Sequence, residues 1–282
     1  MLATIIILLV AVVGMNAQVA LTSSGTASAV KTDAGESPEY VTINSVMPYQ
    51  VPSTDWGNLS SQIFSAYGWT VTAGGELYKR NGNALVDVTG NAGFYTDNQI
   101  NIRWTALGDQ TVSVTEKSII TATNAAGCSG AAETLPVKVL PWPTVAWGTI
   151  TNPSGCNVAS VSLPLTLKGS QSITVYYDVY YTSLTAAETK VNGATPLEQV
   201  FTNSGYDVAV TTPNLSYTLA NGAGAYRIQI VNIRDKVTEK SFGGLGQTDA
   251  ARNAVASAMP ADYTFYSYPT PTTQPIQHIT NL

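Results

Sequence analysis

The chain has 282 residues, a net charge of −5, and only 11% Asp, Glu, Lys and Arg, against roughly 25% in typical soluble domains. No Lys/Arg cluster stands anywhere along it. That excludes the basic patch on which nucleic-acid affinity rests, and attraction to anionic membranes fails for the same reason.

Leu2 to Val13 is an apolar run too short to span a bilayer but suited to the core of a signal peptide, with small Ala17 ahead of Gln18 as the cleavage point. The expectation is a signal peptide over 1–17, the alternative a retained hydrophobic anchor. No Cys follows the run, which argues against a lipoprotein anchor. Residues 18–40 are rich in Ser, Thr, Ala and Gly without periodicity and read as a flexible leader.

The ordered part begins at Val41-Thr42-Ile43, and Pro48 to Leu59 reads as loop. Tyr67 to Thr72 is a strand ending at Gly74-Gly75. Glu76 to Lys79 stops at Asn81-Gly82, a hairpin signal because both residues tolerate positive φ, and Ala84 to Thr89 follows. Ile100, Ile102 and Trp104 alternate with Asn101 and Arg103, giving one buried and one wet face. Thr111 to Thr123 and Thr134 to Leu140 are the next strands. Pro141-Trp142-Pro143 is an extended, semi-stiff connector.

The pattern then repeats. Val161, Leu163, Leu165 and Leu167 alternate, then Ile173, Val175, Tyr177, Val179 and Tyr181 form one face of a strand. Asp207 to Thr211, Leu215 to Leu219, Tyr226 to Ile233 and Val237 to Phe242 read as further strands, with a turn at Asn221-Gly222. Glu188 to Phe201 is a loop with a helical turn. Turn signals every 8 to 12 residues favour an all-β sandwich. Thr248 to Ala258 has an N-cap residue, an early Asp and many helix formers. Tyr263 to Tyr268 is strand-like and aromatic, and Pro269 to Pro275 is a polyproline-type run. The predicted architecture is all-β: antiparallel sandwiches over 41–141 and 142–246, then a short helix, an aromatic strand and a Pro-rich tail over 247–282.

The runs YGWTVTAGG, INIRWTALGDQTVSVTE, NAAGCSG and LPVKVLPWPT, taken in order, resemble the PKD-like, immunoglobulin-like modules of secreted Bacteroidota surface proteins. PSGCNVASVSLPLTLKGSQSITVYY and GAYRIQIVNIRDK are similar to the Ig-like repeats that accompany them. The resemblance covers roughly residues 41–242. It implies a secreted or outer-surface protein of a Gram-negative envelope, often an adhesin or a partner of type IX secretion. The tail does not match the sorting domain of type IX cargo.

Cys128 and Cys156 are the two cysteines, and an even pair in an exported chain suggests one disulfide, the alternative being two buried free thiols. In modules of the resembled kind an early and a late Cys pair within one module. Here Cys128 holds the late position of the first and Cys156 the early position of the second. The resemblance therefore implies a bond between them across the connector.

Reactive chemistry finds little support. The single histidine, His278, stands near the end of the Pro-rich tail, whereas a nucleophile–base arrangement needs a positioned imidazole. Two distant cysteines and one remote histidine do not make a zinc site. Asp97-Asn98, Asp109, and Asp207 beside Asn203 read as turn residues rather than a calcium loop. Gly222-Ala223-Gly224 and Gly243 to Gly246 are weak echoes of phosphate loops: the first precedes a strand, the wrong context, and the second stands ahead of the tail helix but more simply ends the second sandwich. No catalytic, cofactor-binding or metal residue is assigned.

Aromatic side chains are the remaining signal. With Tyr177 and Tyr181 inward, Tyr176 and Tyr180 face outward together, able to stack on a sugar or meet a partner protein, the alternative being that a neighbouring strand or module covers them. Trp69 and Trp104 belong to a core, while Trp142 and Trp147 lie where the modules meet. The stretch with Tyr263, Phe265, Tyr266 and Tyr268 is expected to dock on another surface by strand addition, or to be a last strand of its own sandwich. The reading is a non-enzymatic surface protein acting in adhesion or as a structural part of an envelope or secretion assembly, needing no cofactor. Its partner is a protein or a glycan at the envelope; it is at most peripheral to the outer membrane and binds no nucleic acid. The alternatives are a carbohydrate-binding module, a filament subunit assembled by strand exchange (a homo-oligomer), or an enzyme with an unrecognised carboxylate pair.

Overall fold

The computed structural model describes residues 38–81, 84–90, 93–242 and 259–272. The expected signal peptide, most of the leader, the helix over Thr248 to Ala258, Gly243 to Gly246 and His278 lie outside the described residues. The strands of the first module are β1 (Glu39–Thr42), β2 (Val46–Gln50), β3 (Ile63–Val71), β4 (Gly75–Asn81), β5 (Ala84–Asp87), β6 (Gln99–Trp104), β7 (Gly108–Ile120) and β8 (Ala125–Leu140). They form two sheets, ordered β1-β8-β7-β3 and β2-β6-β4-β5.

Period-two alternation does the work of assembly, since successive side chains of a strand point to opposite faces. Ile100, Ile102 and Trp104 of β6 are buried against Tyr67 and Trp69 of β3, Val112 and Val114 of β7, and Val137 and Val139 of β8. The Trp104 indole donates to the Tyr49 hydroxyl at 3.1 Å, so this fully buried side chain keeps its one donor satisfied. Tyr49 lies on β2, inside the stretch expected to be loop. That stretch opens as a strand because Tyr49 reaches the core, and Pro48 is tolerated because β2 is an edge strand. Only the later part, with a 3-10 turn at Gly57–Leu59, is irregular.

The second module comprises β9 (Thr144–Trp147), β10 (Gly155–Cys156), β11 (Ser160–Gly169), β12 (Ile173–Thr182), β13 (Thr189–Lys190), β14 (Leu197–Phe201), β15 (Val208–Ala209), β16 (Asn214–Thr218), β17 (Gly224–Asp235), a helix α1 (Lys236–Phe242), and β18 (Tyr263–Tyr268). One sheet runs β10-β18-β17-β12-β13 with β14 also on β12. The other joins β9, β15 and β16 to β11. Val161, Leu163, Leu165 and Leu167 of β11 face Ile173, Val175, Tyr177 and Val179 of β12, as the alternation predicts. In both modules an early strand lies parallel to the last one, β1 on β8 and β10 on β18.

Two sequence expectations change here and one left open is decided. Glu188 to Phe201 contains two short strands on β12 instead of a helical turn. Val237 to Phe242, read as a strand, is helical. Asp235 accepts the Thr238 backbone N–H at 2.7 Å, the geometry of an N-cap, and an N-cap starts a helix regardless of the β-branched residues after it. Of the two readings of the aromatic stretch, the strand of its own sandwich holds: it is β18, inserted between β10 and β17. Phe265 is fully buried there and stacks on Tyr226, with ring centroids 5.5 Å apart. Among the described residues no helix is long and apolar enough to cross a membrane.

The helix α1 bridges the modules. The Thr42 backbone N–H of β1 donates to Ser241 Oγ at 2.9 Å, and the Thr42 and Thr238 hydroxyls lie 3.3 Å apart. Tyr40 stacks on Tyr206 at 3.6 Å. The second Asp235 oxygen accepts the Ser170 N–H at 2.8 Å, and Ser170 Oγ accepts the Asp207 N–H at 2.9 Å. Trp142 of the connector is buried. Trp147, expected at the junction, instead packs on Tyr263 within the second module and donates to the Ala261 carbonyl at 2.7 Å.

Two tests follow from this packing. Phe265→Ala should destabilise the second module by about 3–5 kcal/mol in chemical unfolding, and deletion of Tyr263 to Leu282 should unfold it; a truncated chain with an unchanged transition contradicts the assignment of β18. Burial raises the Asp235 carboxyl above its ordinary 3.8. The folded state thus holds the proton more tightly than the unfolded state, and ionisation costs stability. Wild type should therefore lose stability relative to Asp235→Asn as pH rises from below about 3.8 through the raised folded value, as denaturant midpoints at several pH values would show.

Candidate functional site

The outer face of the β18-β17-β12 sheet collects the aromatic and charged side chains that the core rejects. On β12, with Val175, Tyr177 and Val179 buried, Tyr176 and Tyr180 point outward. The register sets Tyr180 beside Arg227 of β17 and Thr174 beside Arg234, with a bulge between Tyr176 and Tyr177. The Arg227 guanidinium lies 3.8 Å over the Tyr180 ring, and that of Arg234 lies 5.6 Å from the Tyr176 centroid. Arg227 also forks onto Glu188, donating from Nε at 3.0 Å and from Nη2 at 2.7 Å, and donates from Nη1 to Asp262. Those hydrogen bonds from Arg227 hold the Glu188 carboxyl below its ordinary value and push the guanidinium upward. Beside this group, Asp178 is buried and takes Lys190 at 2.9 Å and Asn192 Nδ2 at 3.0 Å.

Tyr176 and Tyr180 thus face outward as expected, but each carries an arginine over its ring. The free aromatic surface lies on β18. Its alternation buries Phe265 and Ser267 and turns Tyr266 and Tyr268 to solvent, 47% and 49% exposed. Their rings are parallel within 10° with centroids 6.0 Å apart. The backbone beneath is pinned: Tyr266 N–H donates to Ser154 Oγ at 3.0 Å, and the Tyr268 carbonyl accepts the Asn157 N–H at 2.9 Å. Tyr263 is half-buried against the core. Phe265, counted among the candidate contacts, is core, so no partner reaches its ring while the module is folded.

The cysteines are exposed free thiols in this structure. Cys128 lies roughly 40 Å of extended strand from Leu140 at the junction. Cys156 sits beside Tyr268, at the end of the second module that holds Gly224 rather than Asp235. The two sit at far ends of different modules, well outside the roughly 7 Å Cα separation that a disulfide allows. The inferred bond across the connector is absent here. Gly127 marks a bulge instead: a Cβ there would meet Ser118 Oγ, which accepts the Cys128 N–H at 2.8 Å.

The acidic turn residues are held by single lysines: Asp97 by Lys79 at 3.3 Å, Asp109 by Lys138 at 3.0 Å and Asp207 by Lys168 at 2.8 Å. Among the described residues no group of three or more His, Cys, Asp or Glu could hold a metal ion. Gly224, at φ +157, lets β17 pass against the Thr182 carbonyl, a close approach unrelated to phosphate. Glu116, which sequence reasoning did not single out, accepts from Thr54 at 2.8 Å, from Ser65 and from Tyr67 at 3.5 Å, and ties the irregular stretch around Thr54 to β7. Arg227, Arg234, Glu188 and Asp262 were also missed. Cross-strand register and the bulge bring them together, and neither shows in composition or spacing.

No protein-family model matches the chain, and no curated protein does. Solved structures match across most of it. One described as CBD12 from CALX1.2 is 10% identical over 82% of this chain and 97% of its own, at a TM-score of 0.25. The class 5 fimbriae chaperone CfaA is 9% identical over 84% and 98%, at 0.21, and a chaperone–tip adhesin complex of CFA/I fimbriae is 8% identical over 82% and 96%, at 0.20. At such scores the likeness transfers no function, and the sandwich assignment stands on the strand pairing itself.

Arg227 joins β17, Glu188 ahead of β13 and Asp262 ahead of β18. Arg227→Ala should lower stability by about 1 kcal/mol, partly exposed charge pairs being weakly coupled. Urea midpoints at low and high salt would test this, the deficit shrinking as salt rises.

Proposed function

We propose that this protein is a non-enzymatic, exported surface component, a stiff two-module body that presents the Tyr266–Tyr268 pair to a partner in the envelope of a Gram-negative bacterium. The observation that carries the reading is a half-exposed parallel tyrosine pair built on a strand whose alternate residues are locked in the core. Tyrosines of this kind supply contact area at low entropic cost, because their backbone and ring directions are already set. The junction through α1 supports it, since a module held at one angle delivers its surface at a defined position. The resemblance to PKD-like and Ig-like modules of secreted Bacteroidota proteins and the apolar run ahead of Ala17 support export. A role in adhesion or in an envelope or secretion-associated assembly suits both.

Glycan binding is the second reading. It is favoured by the free ring faces of Tyr266 and Tyr268, because sugar C–H groups stack on open aromatic faces. It now rests on that pair, since the rings of Tyr176 and Tyr180 carry arginines.

The test is saturable binding of the labelled chain to intact cells and isolated envelopes. Tyr266→Ala with Tyr268→Ala should weaken binding by about tenfold or more while leaving the melting transition within a few degrees of wild type. Protease treatment of the envelopes separates a protein partner from a glycan. Binding by the double variant at wild-type strength would remove this surface from the proposal.

A further inference from the structure

Among the described residues, the strand β8 has a long side without a partner. Its inner side pairs with β7 along its length, but on the other side β1 covers only Val137 to Leu140. Among the described residues nothing pairs with the outer side from Ala125 to Pro136, and Ala125 to Thr134 are all exposed. A strand edge of this kind presents unpaired N–H and C=O groups, a template for another strand.

Several other edges of the molecule are guarded. The opposite edge of the same sheet is closed at mid-strand by Tyr67 and Tyr95, whose backbone groups exchange hydrogen bonds at 2.6 and 2.9 Å. The β2 edge carries Pro48, and β10 and β15 are two residues long. The open part of β8, Ala-Ala-Gly-Cys-Ser-Gly-Ala-Ala-Glu-Thr, has no Lys, Arg or Pro before Pro136. Its protection is limited to two bulges, which twist the strand without covering it.

We propose that this edge pairs with the same edge of a second copy, antiparallel about a two-fold axis at Ser129, joining two four-stranded sheets into one. Charge favours this occupant. The chain as a whole is negative, which sets most of its surface against a second copy, yet this edge holds one charged side chain, Glu133. The two-fold places Glu133 near Ala125 of the other copy rather than opposite itself. An antiparallel strand facing its own copy matches donors to acceptors automatically. Small side chains on both copies remove steric conflict and also limit buried area, which falls short of the roughly 1,200 Å² of a standard interface. The association is consequently weak and concentration-dependent. The observation is independent of the tyrosine pair on β18.

The experiment is sedimentation of the full chain over a wide concentration range in reductant, so that exposed thiols form no covalent dimer. Wild type should show a reversible monomer–dimer equilibrium, with slower amide hydrogen exchange over Ala125 to Thr134 at high concentration. Ala126→Lys with Ala132→Lys, which the two-fold sets opposite each other, should weaken dimerisation by about tenfold through like-charge opposition. Both positions are exposed, and an unchanged melting curve verifies the fold. A chain monomeric at every concentration overturns the proposal, as does a dimer that survives the double substitution.

Discussion

The Asp235 carboxylate stands where three structural commitments meet. It ends β17, begins α1 and closes the turn between β11 and β12, and each of its oxygens accepts a different backbone N–H. A carboxylate 2% exposed carries a large desolvation cost unless it is hydrogen-bonded, and the positive end of a helix offsets part of it. With that anchor in place, α1 has one direction available, across β1. Thr42, Thr238 and Ser241, buried hydroxyl residues without an apolar reason to be there, then find one another. The Tyr40–Tyr206 stack completes the contact from the first module's side.

The rest of the second module inherits its order from this arrangement through β17, the strand that ends at Asp235 and pairs with both β12 and β18. On β18 the alternation has two consequences that cannot be separated. Phe265 and Ser267 face inward and fix the strand, and for the same reason Tyr266 and Tyr268 face outward with little freedom. The surface that meets solvent is therefore as stiff as the core behind it. Few charges are present, and several of them gather on the same sheet, where arginines cover two of the outward tyrosine rings. The aromatic surface left open is narrower than the count of tyrosines implies.

The two modules share a wiring pattern and differ in how their last two strands are connected. In the first, β7 and β8 form a tight hairpin that leaves an exposed edge. In the second, the connection from β17 to β18 is long and carries α1 against the other module. One sandwich plan thus yields an open strand edge in one case and a bridging helix in the other.

Much of this was legible in the residues. Alternation at Ile100, Ile102 and Trp104, along Val161 to Leu167, and along Ile173 to Tyr181 specified which apolar side chains are buried, because a strand has only two faces and water sorts them, although Asn101, expected on the wet face of β6, is buried as well. Alternation and turn spacing specified an all-β chain, and the outward direction of Tyr176 and Tyr180 followed from the same parity. Four features were decided only by tertiary structure. These are the helix at Lys236–Phe242, the place of β18 inside its sheet, the separation of Cys128 from Cys156, and the arginines over the tyrosines. Each depends on which strands become neighbours and in what register, and that is a property of contacts distant in sequence. Local periodicity sets the face a side chain takes; the partner it meets there is set by long-range pairing that no short window of sequence contains.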